Sequence, residues 1–315
     1  MASGFAAFDP SERVVAFPPV QCRKTAPRPP THSCQDCAAV SLIILPSAPA
    51  TWHTCSQVHP AEPYNSRVRP FLVGARAPDG TYGDWVLKPV SKMGGHDSIV
   101  ELVVARFARL IGIPVPNAAV INVEPSFVAR LRPKARALLG PNIGPNFGSR
   151  FVPGYHDVAV PAEVSLRDRR TCGQFMCLDA IIDNPDRRDY QGQVKSNLLR
   201  GDRGLLGIDH QSAFSWYYDA LQPGPIWSAT ILGRVLTSHF LRTVLISGPG
   251  ALEVLANRIQ ALTRQQLQET TDSLPADWTK PPVDPMLAPK VLGYLIDACS
   301  QAGVIATAIE NGGVP

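Results

Sequence analysis

LDAIIDNPDRRDYQGQVKSNLLRGDRGLLGIDHQSAF, residues 178–214, is the stretch on which the reading of this chain turns. It opens as an apolar helix end (Leu178, Ala180, Ile181, Ile182) and breaks at Asn184-Pro185, since the residue before a proline is pushed out of helix. Asp186-Arg187 and a charged, glycine-containing loop follow. Asn197-Leu198-Leu199 reads as a short apolar strand, Gly201-Asp202 as a turn, and Leu205 to Ile208 as a second strand running into Asp209-His210. Such a hairpin sets Asp186, Asn197 and Asp209 near one end of two paired strands. Two carboxylates and an amide in that arrangement suit phosphoryl transfer: one Asp steers a hydroxyl nucleophile, and oxygen donors remain for Mg²⁺.

Upstream pieces fall in a matching order: WVLKP at Trp85–Pro89, Glu101, GIPVP at Gly112–Pro116 and FGSRF at Phe147–Phe151. With DNPDR, NLL and IDH they resemble the HipA-like kinases, relatives of protein and phosphatidylinositol kinases, over roughly Ser66 to Trp278. The resemblance implies an α+β, two-lobed protein-kinase-like fold. A small β-rich N-lobe would cover residues 66–153, a mostly helical C-lobe 154–315, and residues 1–65 would be a disordered extension. It implies ATP and Mg²⁺, with Lys88 over the phosphates, Glu101 holding that lysine, and the backbone of Phe151, Val152 and Pro153 facing adenine. Asp186 would be catalytic, and Asn197 and Asp209 would hold the metal. The implied activity is transfer of the γ-phosphoryl group to a Ser/Thr hydroxyl of a protein, with an antitoxin-like partner in view. Rival readings are a small-molecule or lipid kinase of the same fold, a nucleotide-binding pseudokinase, and a non-enzymatic zinc-binding interaction module.

Two departures from the kinase pattern bear on activity. Protein kinases place their metal-binding Asn in the pattern D-x-x-x-x-N, and here that place is Gln191. The HipA-like family often shows N-x-N-L-L, where this chain has Lys195-Ser196-Asn197-Leu198-Leu199. Either a short loop insertion leaves Asn197 as the ligand, or the first Asn has become Lys195, whose ammonium would sit near the phosphates and displace one metal. Asp-Phe-Gly is likewise replaced by Asp209-His210.

Composition agrees with a globular chain. Its 315 residues suffice for two sizeable cores, and hydrophobic content is 45% with 18% charged. The net charge of +4 is spread along the chain, so no nucleic-acid partner is expected. Asp9 and Glu12 stand where a secretory signal needs a basic and then apolar start. The longest apolar run, Ala38 to Leu45, is far short of the roughly 20 residues that span a bilayer. A cytoplasmic location without membrane attachment, and reduced cysteines, are the expectation.

Residues 1–65 hold 10 of the 31 prolines and show no helix or strand period, which predicts disorder. They also hold His32, Cys34, Cys37, His53, Cys55 and His59, a loose spacing suited either to a structural Zn²⁺ or to a plain low-complexity extension.

Order is expected from about Arg69. Pro70–Ala75 and Trp85–Val90 read as paired strands about the Pro78-Asp79-Gly80 turn. Ser98–Ile111 shows helical spacing, closed by Gly112 and Pro114. Within that helix Glu101 has two explanations, a capping box with Ser98 or a partner for Lys88. Pro116–Glu124 and Phe147–Val152 read as further strands. Gly140, Gly144 and Gly148 are rejected as a phosphate loop, because Pro141 and Pro145 remove the N–H groups it needs. The Arg76–Asp84 turn is the better candidate. Beyond residue 214 the pattern is helical: Ala229–Ser247, Ala251–Arg264, Gln265–Ser273, and Ala288–Ile309 as one helix or a pair.

Overall fold

Strand β1 (Trp52–Gln57) lies inside the segment expected to be disordered, and it is the piece that closes a barrel. It pairs antiparallel with β2 (Phe71–Arg76) and parallel with β4 (Ala118–Val123). The order around the barrel is β1-β2-β3-β5-β4, with β3 at Tyr82–Lys88 and β5 at Gly144–Arg150. The computed structural model describes residues 51–57, 68–190, 193–217, 226–244 and 250–312, all within the compact unit 45–315.

The barrel follows from alternation and apolar content. Along β3, Gly83, Trp85 and Leu87 point inward while Tyr82 is exposed. The Trp85 ring meets the Trp52 ring edge-on with centroids 4.9 Å apart, so β1 contributes a large apolar side chain to the closure. Phe71, Val73, Ile121, Val123 and Phe127 complete this inner cluster. Helix α1 (Val90–Leu110) joins β3 to β4, and two short helices follow β4: α2 (Pro125–Ala129) and α3 (Pro133–Leu139), each started by a proline at its first position, where a missing N–H costs nothing.

Helix α1 begins earlier than its apolar period suggested and is broken at Gly94 (φ 83°, ψ 162°). Its apolar face, from Ile99 to Ile111, belongs to the larger core that also takes in α4 (Arg169–Ile181) and the C-terminal helices. Those are α5 (Ala229–Thr237), α6 (Glu253–Gln260), α7 (Arg264–Thr271), α8 (Leu287–Ser300) and α9 (Ala302–Glu310). Trp278, fully buried, donates its indole N–H to Pro145 O at 2.9 Å and so ties this core to the start of β5.

The expected helix Ala229–Ser247 ends instead at Thr237. His239 bridges to Arg188, its Nδ1 accepts from Leu241 N at 3.1 Å, and Phe240 N donates to Arg187 O at 3.0 Å. These bonds draw the backbone out of helix. The final apolar run is a pair bent by 57°, and among the described residues no single helix is long and apolar enough to cross a membrane.

The expected hairpin is present, with β9 (Leu198–Gly201) against β10 (Gly204–Gly207); β6 (His156–Asp157) adds a third strand. The charged loop before it is not irregular. It forms a second small hairpin, β7 (Arg188–Tyr190) against β8 (Gln193–Lys195).

Candidate active site

Lys88 stands at the last position of β3, opposite Phe147 in the barrel register, with its ammonium 5.8 Å from that ring's centroid. Its side chain is 12% exposed. The ammonium donates to Glu101 Oε1 and, at 2.6 Å, to Asp209 Oδ1. Three groups 13 and 121 residues apart in sequence thus meet at one buried cation.

Glu101 takes the pairing role rather than the capping one. Both of its oxygens are used: Oε1 by Lys88, and Oε2 by the backbone N–H of His210 at 3.2 Å. Ser98 instead donates to Gly94 O at 2.9 Å, across the helix break. Burial pushes the Glu101 carboxyl up to about 7 despite Lys88. Burial acts on Asp209 in the same direction, but the Lys88 charge overrides it and holds Asp209 at about 2. The ammonium itself stays charged: burial disfavours it, and the two carboxylates more than compensate.

Asn197 and Asp209 both adopt left-handed backbone, φ 46° and 57°, a conformation that short polar side chains tolerate best among non-glycine residues. Asn197 Nδ2 donates to Asp209 O at 3.3 Å, and Ile208 N donates to Asn197 O at 3.0 Å. With its amide nitrogen so engaged on the Asp209 backbone, Asn197 has its Oδ1 left as an oxygen donor, and the Asp209 side chain is 33% exposed. Oxygen donors of this kind, few in number and at the solvent edge, fit Mg²⁺, which binds through one or two carboxylates and keeps other positions for phosphates and water.

Asp186 follows the Asn184-Pro185 break in an Asx turn, its N–H donating to Asn184 Oδ1 at 3.2 Å. The residue is 7% exposed. Lys195, carried by β8, donates to both Asp186 oxygens at 3.1 Å. Phe151, Val152 and Pro153 lie just past β5 rather than in it; Phe151 N donates to Asp84 O at 2.9 Å. The turn at 77–81 between β2 and β3 is closed by Gly80 N to Ala77 O at 2.9 Å, with Gly80 at φ 83°. Of the possible zinc ligands, His53 and Cys55 sit on β1, and His53 Nδ1 is 2.6 Å from Glu124 Oε1. His32, Cys34, Cys37 and His59 lie outside the described residues.

Sequence reading missed the group that holds this region together. Asp179, fully buried in α4, accepts from Asn184 Nδ2 at 2.8 Å, Arg187 Nε at 2.6 Å and His239 Nε2 at 3.0 Å. Arg187, 1% exposed, lies over the Phe175 ring at 5.2 Å and also donates to Ser196 O at 2.7 Å and to Asn197 O. Its last donor meets His210 Nε2 at 3.2 Å. Guanidinium only donates, so His210 Nε2 accepts. A neutral ring agrees with burial and Arg187 together pressing the His210 pKa down to about 3. The available signal was a lone Asp in the apolar helix end LDAII; nothing in the sequence marks His239.

A family model described as HipA-like kinase matches residues 65–224. The Helicobacter pylori proinflammatory kinase CtkA shares 10% identity over 83% of this chain and 97% of its own, with a TM-score of 0.44. The FAT and kinase domain of CtTel1 shares 12% identity over 77% of this chain and 22% of its own, with a TM-score of 0.31. The MAP kinase LmaMPK10 from Leishmania major shares 12% over 83% and 84%, with a TM-score of 0.25. No curated protein matches the chain. The family match spans just over half of the 315 residues and takes in Lys88, Glu101, Asp186, Asn197 and Asp209, and on it the chain belongs to the HipA-like kinase family.

Proposed function

We propose that the chain is an ATP- and Mg²⁺-dependent phosphotransferase that passes the γ-phosphoryl group to a Ser/Thr hydroxyl of a protein, in the cytoplasm. The observation that carries this reading is the Lys88 ammonium held between Glu101 and Asp209. Within a kinase family, a strand lysine fixed by a helix glutamate is the device that aims a cation at nucleotide phosphates. In this reading the nucleotide lies between a β-rich lobe, residues 66–153, and a helical lobe, 154–315. The backbone of Phe151–Pro153 meets the adenine.

Each residue then has one task. Lys88 binds phosphate oxygens, and Glu101 keeps it from collapsing onto Asp209 alone. Asp209 and Asn197 hold Mg²⁺, which when bound neutralises charge developing on the phosphates. Asp186 orients the acceptor hydroxyl and takes its proton as the acceptor oxygen bonds to the γ-phosphorus. The bond from that phosphorus to the bridging oxygen breaks, and ADP leaves with the electron pair. The contact of Lys195 with Asp186 favours one second reading, a protein that binds nucleotide without transfer.

Both readings are tested by measuring Mg²⁺-dependent ATP binding and turnover in the wild type and in Asp209→Asn. The expected result is turnover in the wild type and a loss of about 10²–10³-fold in the variant, the scale of losing one preorganised electrostatic contact, at little cost in melting temperature. Binding without turnover in the wild type would select the second reading. Equal turnover in the variant would refute the site.

A further inference from the structure

We propose that the Lys195 ammonium does the work of one of the two divalent ions that a two-metal kinase site uses, so that nucleotide is bound here with a single Mg²⁺, on Asp209 and Asn197. This rests on the phosphotransferase reading above and specifies it.

Several observations converge on Lys195. Its position is fixed by backbone pairing: β8 sets it directly opposite Arg188, two places beyond Asp186, and Arg188 is itself anchored by its bridge to His239. From there Nζ reaches both carboxylate oxygens of Asp186 at 3.1 Å. The side chain is 50% exposed, which leaves the ammonium free to turn toward an entering phosphate without dragging the fold.

The chemistry of the position does the rest. A second ion beside Asp186 would need an oxygen donor at position 195, where the related pattern N-x-N-L-L places its first Asn. Asn197 is committed toward Asp209, through the bond from its Nδ2 to Asp209 O. Position 195 offers three N–H donors and no acceptor, and its fixed positive charge repels a second divalent ion where that ion would sit. The same charge, however, is a direct partner for phosphate oxygens. Lysine at this position excludes the ion and supplies one positive charge in its place.

The test counts ions rather than turnover. The full chain is saturated with adenylyl imidodiphosphate and titrated with Mn²⁺, and bound Mn²⁺ is followed by electron paramagnetic resonance. The wild type is expected to bind one Mn²⁺ per chain and Lys195→Asn two. The dependence of nucleotide affinity on Mn²⁺ should steepen accordingly, from first to second power. Lys195→Met, which removes the charge and adds no ligand, should still bind one ion and hold the nucleotide about tenfold or more weakly, the usual scale for a lost charged hydrogen bond. Two ions in the wild type would overturn this proposal and leave the phosphotransferase reading standing. One ion in Lys195→Asn, with nucleotide affinity unchanged, would overturn it too. Failure of the wild type to bind the nucleotide at any Mn²⁺ concentration would remove the phosphotransferase reading and this proposal with it.

Discussion

Replacing Asp179 by Asn should destabilise the protein strongly, although Asp179 is given no part in the chemistry. The side chains of Asp179 and Arg187 are both 0% exposed, and the carboxylate faces three donors, on Asn184, Arg187 and His239. Asparagine can still accept from Asn184. It cannot answer both Arg187 Nε and His239 Nε2, because its other end is an NH₂ group. Arg187 cannot shed its proton, so a charge is left buried with only carbonyls and a neutral imidazole around it. Breaking a buried pair in this way costs about 3–5 kcal/mol. For a domain of this size class each kcal/mol lowers the melting temperature by about 2–4 °C, so a fall of roughly 6–20 °C is expected. Thermal melts followed by circular dichroism at neutral pH would measure it. A double variant, Asp179→Asn with Arg187→Met, should lose less than the sum of the two singles, because the uncompensated charge is gone. The pH dependence gives a second check. Burial would raise the Asp179 pKa, but Arg187 and His239 together hold it well below the usual carboxylate range. A group depressed in the folded state stabilises above its unfolded pKa, about 3.9 for Asp, and loses that contribution as pH falls below it. The gap between wild type and Asp179→Asn should therefore be full at neutral pH, begin to narrow below about pH 4, and vanish only as pH falls through the depressed folded value. A drop of less than about 2 °C at neutral pH, below the scale of even one kcal/mol, would refute the hub.

Two further substitutions separate chemistry from packing. Asp186→Asn should reduce ATP turnover by at least about 10²-fold while nucleotide affinity and melting temperature hold, since its partner Lys195 is half exposed; a variant with wild-type turnover would remove Asp186 from its role. Gly95→Ala should destabilise by about 1–3 kcal/mol, because an added Cβ would stand 2.1 Å from the carbonyl oxygen of the buried Trp278; tryptophan fluorescence and thermal melts that match the wild type would show that α1 and the Trp278 turn do not pack as described.

Local pattern made some elements legible and left others hidden. The Gly201-Asp202 turn between two short apolar runs was enough to give the β9–β10 hairpin, and apolar spacing from Ile99 to Ile111 gave the body of α1. Both are signals carried by neighbours in sequence. Strand β1 had no such signal, because its surroundings are proline-rich and its partners are remote: His53 pairs with Arg76 and Trp52 with Ile121. The early end of α5 was hidden for the same reason. Its apolar period continues past Thr237, and what draws the backbone out of helix is pairing with residues far back in sequence, His239 with Arg188 and Phe240 N with Arg187 O.

The site divides along the same line, and the division has a physical cause. Lys88, Asp186, Asn197 and Asp209 were legible as candidates because each is a polar residue bordering an apolar run or the turn that breaks one, where packing does not explain it. Asp179, Arg187 and His239 were not, because their meaning lies in one another. Yet the legible residues depend on the hidden ones. Of the non-glycine residues with positive φ among those described, Asp183, Asn197, Asp209 and Phe214 all fall in residues 178–214. Such conformations cost on the order of 1 kcal/mol or more each and persist only where the surroundings dictate them. Here Arg187 grips the carbonyls of Ser196 and Asn197, Ile208 N reinforces the second, and His210, the residue after Asp209, is held by Arg187 and Glu101. The carboxylate of Asp179 holds Arg187 in turn. A turn-forming Asn or Asp in sequence is thus, in the folded chain, a side chain aimed by a buried ion pair, and weakening that pair should loosen the Asn197–Asp209 geometry before it touches either residue.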